Sequence, residues 1–123
     1  MIDITKVVRI HFVVPDTAGE LFDAHTHGLE NFGHKEFQVL APGFCRGAAC
    51  SILNGHADRV INRGERFLPG ELGEIGGAVI GYEEVPGDFL GDPTRLRIVD
   101  MPSEYEFAKP RVRQTKFGRA ERN

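Results

Sequence analysis

The stretch that most constrains the fold runs from Gly43 to Arg63, where apolar residues recur with a period of about 3.6 residues. One stripe of this predicted helix holds Cys45, Ala49, Ile52, Leu53, His56, Ala57, Val60 and Ile61. Pro42 suits the entry of the helix, and Gly64 suits its C-terminal cap. Because His56 lies on the apolar stripe, we expect it to be a hydrogen-bonded core histidine rather than a ligand.

Alternation of apolar and polar residues before this helix predicts strands. Residues 2–14 alternate, which places His11 on the outward, polar side of a first strand. Two further strands, at 21–28 and 35–40, are separated by a short loop, and a short connection favours an antiparallel hairpin.

Two clear strands are predicted after the helix, at residues 78–82 and 96–99. Together these patterns predict an α+β fold, in which an antiparallel sheet of four to six strands packs on one principal helix at about residues 43–63. A chain of 123 residues has the length of one domain. We assign residues 1–108 to this domain and residues 109–123 to a basic, flexible C-terminal tail.

The charge is distributed unevenly. Residues 109–123 contain six Lys/Arg and one Glu, a net charge of +5, whereas the rest of the chain carries −8. Such an end is either solvated or in contact with an acidic surface. The acidic body argues against a dedicated nucleic-acid domain, so nucleic-acid contact is expected only through the tail.

Composition also indicates a cytoplasmic protein. The first residues, MIDITKVVRI, lack the basic and long apolar regions of a signal peptide. No apolar run approaches the ~20 residues that span a membrane. Cys45 and Cys50 lie on different sides of the predicted helix, so we expect both to be reduced.

The segment DAHTHGLENFGH, residues 23–34, is the strongest functional signal. Asp23, His25 and His27 share one face of the second strand because side chains alternate. Hairpin pairing would place Glu36 and Gln38 across from His27 and His25, with His34 at the loop exit. Two imidazoles and a carboxylate of this kind are ligands for zinc or iron. The same HxH spacing occurs in amidohydrolases, but those are (β/α)₈ barrels of about 250 residues, which this chain is too short to form.

Several short motifs in order carry a family resemblance. The segments HTHGLENFGHKEFQVL and ILNGHADRVINRGERFLPGE are similar to the bacterial domain of unknown function catalogued as four-two-six-two. The matching positions, within roughly residues 20–100, are Thr26, Gly28, Leu29, Gly33, His34, Glu36, Leu53, Asn54, Gly64, Phe67, Gly70 and Glu71. His25 stands where that family often has an aromatic residue, and Lys35 where a proline often follows. The resemblance implies a bacterial or phage protein, names no activity, and makes His34 and Glu36 the better candidates for a shared role.

Two functions follow from these residues. The leading hypothesis is a noncatalytic, metal-free binding module that recognises a small ligand or a protein partner. This function is compatible with a homo-oligomer. Its ligand-binding residues would line the polar sheet face and loop at 23–38: Asp23, His25, His27, His34, Glu36 and Gln38. The alternative is a small zinc- or iron-dependent enzyme, a hydrolase, built on Asp23, His25, His27 and His34.

Overall fold

The computed structural model describes residues 1–14, 21–41 and 45–100. Two α-helices, one 3₁₀ helix and six strands follow one another in these ranges. In chain order they are α1 (Ile4–Val7), β1 (Arg9–Val13), β2 (Phe22–His27), the 3₁₀ helix Leu29–Phe32, β3 (Phe37–Ala41), α2 (Arg46–Arg63), β4 (Leu72–Ile75), β5 (Ala78–Val85) and β6 (Arg95–Asp100).

The six strands form one sheet in the order β1-β2-β3-β6-β5-β4. Every neighbouring pair is antiparallel except β3 and β6, which run parallel. The chain returns from β3 to the middle of the sheet through α2 and the β4–β5 hairpin, and parallel neighbours require such a long connection. The predicted α+β class with one principal helix is therefore confirmed, and one strand pair departs from the antiparallel expectation.

The core lies between α2 and one face of the sheet. From α2 it contains Ala49, Leu53, Ala57 and Val60; the facing strands contribute Phe22, Ala24, Phe37, Val39, Leu96 and Ile98. The predicted core histidine is confirmed: the Nδ1 atom of His56 lies 2.8 Å from the Ile52 carbonyl oxygen, and its Nε2 atom lies 2.9 Å from the Tyr82 hydroxyl. Gly64 ends the helix as predicted, with a φ of 68°. The predicted start at residue 43 lies outside the described residues.

The first strand is shorter than predicted. Residues Ile4–Val7 form a helical turn because the Asp3 carboxylate caps it, accepting hydrogen bonds from the Thr5 backbone N–H at 3.1 Å and hydroxyl at 2.8 Å. The backbone of Ile2 pairs with the Asn62 side chain of α2 at 2.8 and 2.9 Å. Pairing with β2 therefore begins only at Arg9.

The β4 strand, Leu72–Ile75, is not among the strands predicted from the sequence. Only Gly76 and Gly77, both with positive φ, turn the chain, and Leu72–Ile75 pairs with β5. The predicted domain limit at residue 108 and the basic tail at 109–123 lie outside the described residues. Among the described residues, no helix is long and apolar enough to cross a membrane.

Candidate metal centre on the polar sheet face

The face of the sheet that points away from α2 brings three histidines together. In the β1–β2 pair His11 lies opposite His25, and Arg9 lies opposite His27. Because side chains alternate along a strand, His11, His25 and His27 project from the same face. Ala24 and Thr26, the residues on either side of His25 in β2, are buried and point toward the core.

The ring nitrogens of these histidines converge. His27 Nε2 lies 3.2 Å from His25 Nε2 and 3.1 Å from His11 Nδ1. One ring nitrogen from each of the three histidines lies within 4.8 Å of those of the other two. Three nitrogens bound to one tetrahedral zinc ion, each about 2.0–2.1 Å from the metal, are separated by about 3.3 Å. Two of the three separations between the nitrogens are thus close to those of a His₃ metal site.

A carboxylate orients the most buried of the three rings. His25 is fully buried, and its Nδ1 atom lies 2.9 Å from Asp23 Oδ1. The other oxygen of Asp23 accepts a hydrogen bond from the Gln38 amide at 2.7 Å, and the Gln38 carbonyl oxygen accepts one from Arg97 Nε at 2.8 Å. An imidazole that donates its Nδ1–H to a carboxylate presents Nε2 as its free ligand atom, as in carboxylate–histidine–metal triads.

Protons alone do not satisfy the three nitrogens. When Nδ1 of His25 carries the proton donated to Asp23, its Nε2 is an acceptor. A single N–H at His27 Nε2 can be donated to His25 or to His11 but not to both, so one of the two close contacts lacks a hydrogen bond. If all three facing nitrogens are deprotonated, a cation among them would accept one lone pair from each.

The electrostatic surroundings keep the groups in the forms that bind metals. Burial, and next the nearby rings of His25 and His11, lower the pKa of His27, which favours its neutral form. For Asp23, burial raises the pKa, but the hydrogen bond with His25, the bond from Gln38 and the charge of Arg95 outweigh it and leave the pKa lowered. A neutral imidazole and an ionised carboxylate are the states required for a metal ligand and its orienting partner.

A second carboxylate, on the loop between β5 and β6, approaches the cluster. Asp88 Oδ2 lies 3.9 Å from His25 Nε2 and 2.8 Å from the buried guanidinium of Arg95. The hydrogen bond from Arg95, followed by its positive charge, lowers the pKa of Asp88 despite some burial. A pocket of about 250 Å³ opens beside the cluster, and His27, Asp88 and Arg95 are in its lining.

His34 does not belong to the cluster, so the four-residue set with Asp23, His25 and His27 is wrong. Its Nδ1 lies 2.8 Å from the Lys35 carbonyl oxygen, and its Nε2 accepts a hydrogen bond from the Phe67 backbone at 3.0 Å. The ring is buried and packs against Phe37 and Phe67. Both ring nitrogens of His34 therefore contact backbone atoms around the core. The ring does not lie on the polar strand face that carries the other histidines.

Glu36 and Gln38 were predicted to lie across from His27 and His25, and in the structure both bond to other groups. The buried carboxylate of Glu36 accepts hydrogen bonds from the Thr26 hydroxyl at 2.7 Å and from the backbone N–H groups of residues 28, 29 and 30 at 3.0–3.2 Å. Gln38 lies across from His25 as expected but bonds to Asp23. Glu36 thus holds the 3₁₀ turn, and Gln38 supports the histidine cluster indirectly.

Two residues near the candidate site, His11 and Asp88, were not predicted from the sequence to belong to it. His11 was correctly expected on a polar face, but nothing in the local pattern reveals that its strand pairs with β2. Asp88 lies in a Gly- and Pro-containing loop whose spacing carries no metal-ligand pattern. The signal for His11 was its outward position on a predicted strand close in sequence to the hairpin.

Comparisons with known proteins give no match: no family model fits the chain, and no curated protein or solved structure is similar to it. The resemblance to domain four-two-six-two therefore stays a prediction.

Proposed function

We propose that this protein is a binding module whose ligand is a divalent transition-metal ion held by His11, His25 and His27. The observation that carries the proposal is the convergence of the three ring nitrogens, with two separations of 3.1 and 3.2 Å. The carboxylate of Asp23 behind His25 supports it, because outer carboxylates fix the orientation of ligand imidazoles. This proposal replaces the metal-free reading of the same polar face.

Zinc fits these ligands best. Imidazole nitrogens bind zinc, copper, iron and nickel, and three histidines form a common zinc ligand set. Because β-strands are pleated, the three imidazole rings do not lie in one plane, and such an arrangement suits tetrahedral coordination. Iron, the other metal predicted for the Asp23/His25/His27 set, fits less well. Asp23 contacts His25 Nδ1 rather than the converging nitrogens, and its other oxygen accepts a hydrogen bond from Gln38.

The experiment is metal analysis of protein purified without a polyhistidine tag, followed by zinc titration of the metal-free form. We expect about one zinc per chain, and a sharp loss of affinity in His11→Ala and His27→Ala. Val13→Ala is the matched control, because Val13 lies on the same strand and face, is half exposed and has no ligating atom. Binding that survives both histidine substitutions would refute the proposal.

Chelation supplies an independent measurement. Metal binding contributes to folding free energy when the site forms only in the native state. We expect zinc to raise the melting temperature of the metal-free protein, and a chelator to reverse the increase. Because His11 lies on the edge strand, protection of β1 backbone amides from hydrogen exchange should rise with zinc as well.

A hydrolase is the second candidate, and the pocket beside His27 favours it. Three protein ligands leave one zinc position for water, whose pKa such a site lowers to about 7. The pocket of about 250 Å³ would hold a small substrate next to that position. Zinc-dependent cleavage of an activated ester, absent in His27→Ala, would support this candidate over a noncatalytic module.

The cellular setting belongs to the same proposal. Cys45 and Cys50 are both free, as a reducing cytoplasm would keep them. A bacterial or phage origin rests on the resemblance alone. Recognition of a small molecule or a protein partner through the metal-bearing face remains part of the binding-module proposal.

A further inference from the structure

The loop that joins β5 to β6 carries Asp88 to the edge of the histidine cluster. Asp88 Oδ2 is 3.9 Å from His25 Nε2, and Asp88 lines the same pocket as His27. Neighbouring ligand atoms on a tetrahedral zinc ion are about 3.3 Å apart. Relative to His25 Nε2 alone, a shift of about 0.6 Å would bring this oxygen to that spacing. Asp88 lies outside the group of ligand atoms within 4.8 Å of one another, so it must also approach His11 and His27 when a metal binds.

The base of the loop is fixed tightly enough to hold Asp88 there. A Cβ atom on Gly87 would lie 2.7 Å from the Pro93 carbonyl oxygen, so the two sides of the loop meet at a position that only glycine fits. Across the loop, the Asp92 carboxylate accepts a hydrogen bond from the Phe89 N–H at 3.0 Å, and the Asp92 N–H donates to the Phe89 carbonyl at 3.0 Å. Asp88 is thus presented by a closed loop.

The guanidinium of Arg95 gives Asp88 the partner that a ligand carboxylate needs. Arg95 begins β6, its side chain is buried, and its NH2 group lies 2.8 Å from Asp88 Oδ2. Ligating carboxylates are themselves hydrogen-bonded in metal sites, as ligating histidines are. Arg95 would orient Asp88 in the way that Asp23 orients His25.

The charge balance around the histidine cluster also favours a contact between Asp88 and the ion. A divalent ion among three neutral imidazoles brings two positive charges to a partly buried face, and such charge is stable only when it is paired. Asp23 supplies one negative charge behind His25, and Asp88, which also pairs with Arg95, supplies a second beside His25 Nε2.

Resting on the proposed metal site, we infer that Asp88 is its fourth protein ligand, so that His11, His25, His27 and Asp88 enclose one zinc ion. Four protein ligands close a tetrahedral zinc site and leave no position for water. The inference therefore assigns the noncatalytic role to the zinc form and argues against the hydrolase.

Cobalt(II) is the probe, because it takes zinc's geometry and its visible spectrum reports the ligands. We expect Asp88→Ala to weaken cobalt and zinc binding by about 100-fold or more, beyond the ~10–100-fold effect of losing an outer-shell partner. Asp88→Cys should place a thiolate on the ion and produce a near-ultraviolet sulfur-to-cobalt charge-transfer band. Phe89→Cys is the control, because Phe89 is adjacent in the loop and 77% exposed. Cys45 and Cys50 are common to every variant.

The outcomes separate the two claims. A charge-transfer band in Asp88→Cys but not in Phe89→Cys, together with the affinity loss in Asp88→Ala, supports the inference. The absence of that band, or unchanged affinity in Asp88→Ala, overturns it, and the His₃ proposal stands if His27→Ala still abolishes binding. A wild-type protein that binds neither metal overturns both. Because Asp88→Cys is read by spectrum, the test holds even where Asp88→Ala lowers stability.

Discussion

Asp23 Oδ1 lies 2.9 Å from Nδ1 of the fully buried His25, and this contact determines which nitrogen of His25 faces the other histidines. The proton on Nδ1 is held by the carboxylate, so Nε2 presents a lone pair toward His27. Among the hydrogen bonds of the described residues, this carboxylate is the one acceptor that contacts the Nδ1 atom. In the proposed metal site, this contact would orient His25 as a ligand.

Replacing Asp23 tests this orientation. We expect Asp23→Ala to lower zinc affinity by about 10–100-fold, because His25 loses the partner that fixes its tautomer and ring angle. The measurement is a competition titration against a chelating dye. Gln38→Ala should have a smaller effect, since it removes only the 2.7 Å hydrogen bond to the far oxygen of Asp23. Equal affinity in the wild type and Asp23→Ala would show that Asp23 has no role in metal binding.

Sequence periodicity predicted the parts of this fold that depend on local pattern. The helix Arg46–Arg63, its glycine cap and the hairpin of β2 and β3 follow from repeats of 3.6 and 2 residues and from a short loop. The helical turn at Ile4–Val7 was missed because an Asp3 cap outweighs an alternating pattern that Lys6 and Val7 already interrupt.

Non-local pairing limited what sequence predicted of the site. His25 and His27 were identified because they share one strand, whereas His11 joins them only through the register of β1 on β2. Asp88 arrives from a loop more than 60 residues away along the chain. Neither residue spacing nor composition encodes such contacts, so the sequence indicated only His25 and His27 of the four proposed ligands.

The positions that carry the family resemblance have structural roles. Thr26 and Glu36 bond to each other, and His34 accepts a hydrogen bond from Phe67 N–H beneath the helix. Gly28 lies in the same turn with a φ of 126°. These residues build the turn and core rather than the histidine cluster, so a shared fold would not by itself imply a shared metal site.

Gly28 provides a test of that turn. A Cβ atom at this position would lie 2.3 Å from the Val7 carbonyl oxygen, and the positive φ is itself unfavourable for other residues. We expect Gly28→Ala to reduce the free energy of unfolding by at least about 2 kcal/mol. Gly47→Ala is the control: it lies in α2 with no atom within 4 Å of the added Cβ, and we expect a gain of up to about 1 kcal/mol. Urea denaturation measures both, and equal effects would contradict the close approach of the two backbones.

The core face of α2 is tested by Leu53. Its side chain is fully buried against the sheet, so Leu53→Ala should cost about 2–5 kcal/mol in unfolding free energy. Asn54, the next residue, is only partly buried and lies outside the apolar cluster, and Asn54→Ala should cost much less. Similar destabilisation by both substitutions would mean that the helix packs through a different face.

Glu36 distinguishes a structural carboxylate from a metal ligand. Each of its two oxygens accepts two hydrogen bonds. In Glu36→Gln one oxygen is replaced by an NH₂ group, which must then face two existing donors. We expect a loss of about 2–3 kcal/mol in unfolding free energy, measured by denaturant titration, because charge-assisted bonds are lost and buried donors are left unmatched. Glu30→Gln is the control, an exposed carboxylate in the same turn. Zinc affinity of the folded Glu36→Gln protein should fall less than that of Asp23→Ala, since the Glu36 oxygens point at the backbone. A greater loss of zinc affinity than in Asp23→Ala, with stability unchanged, would instead make Glu36 a candidate metal ligand.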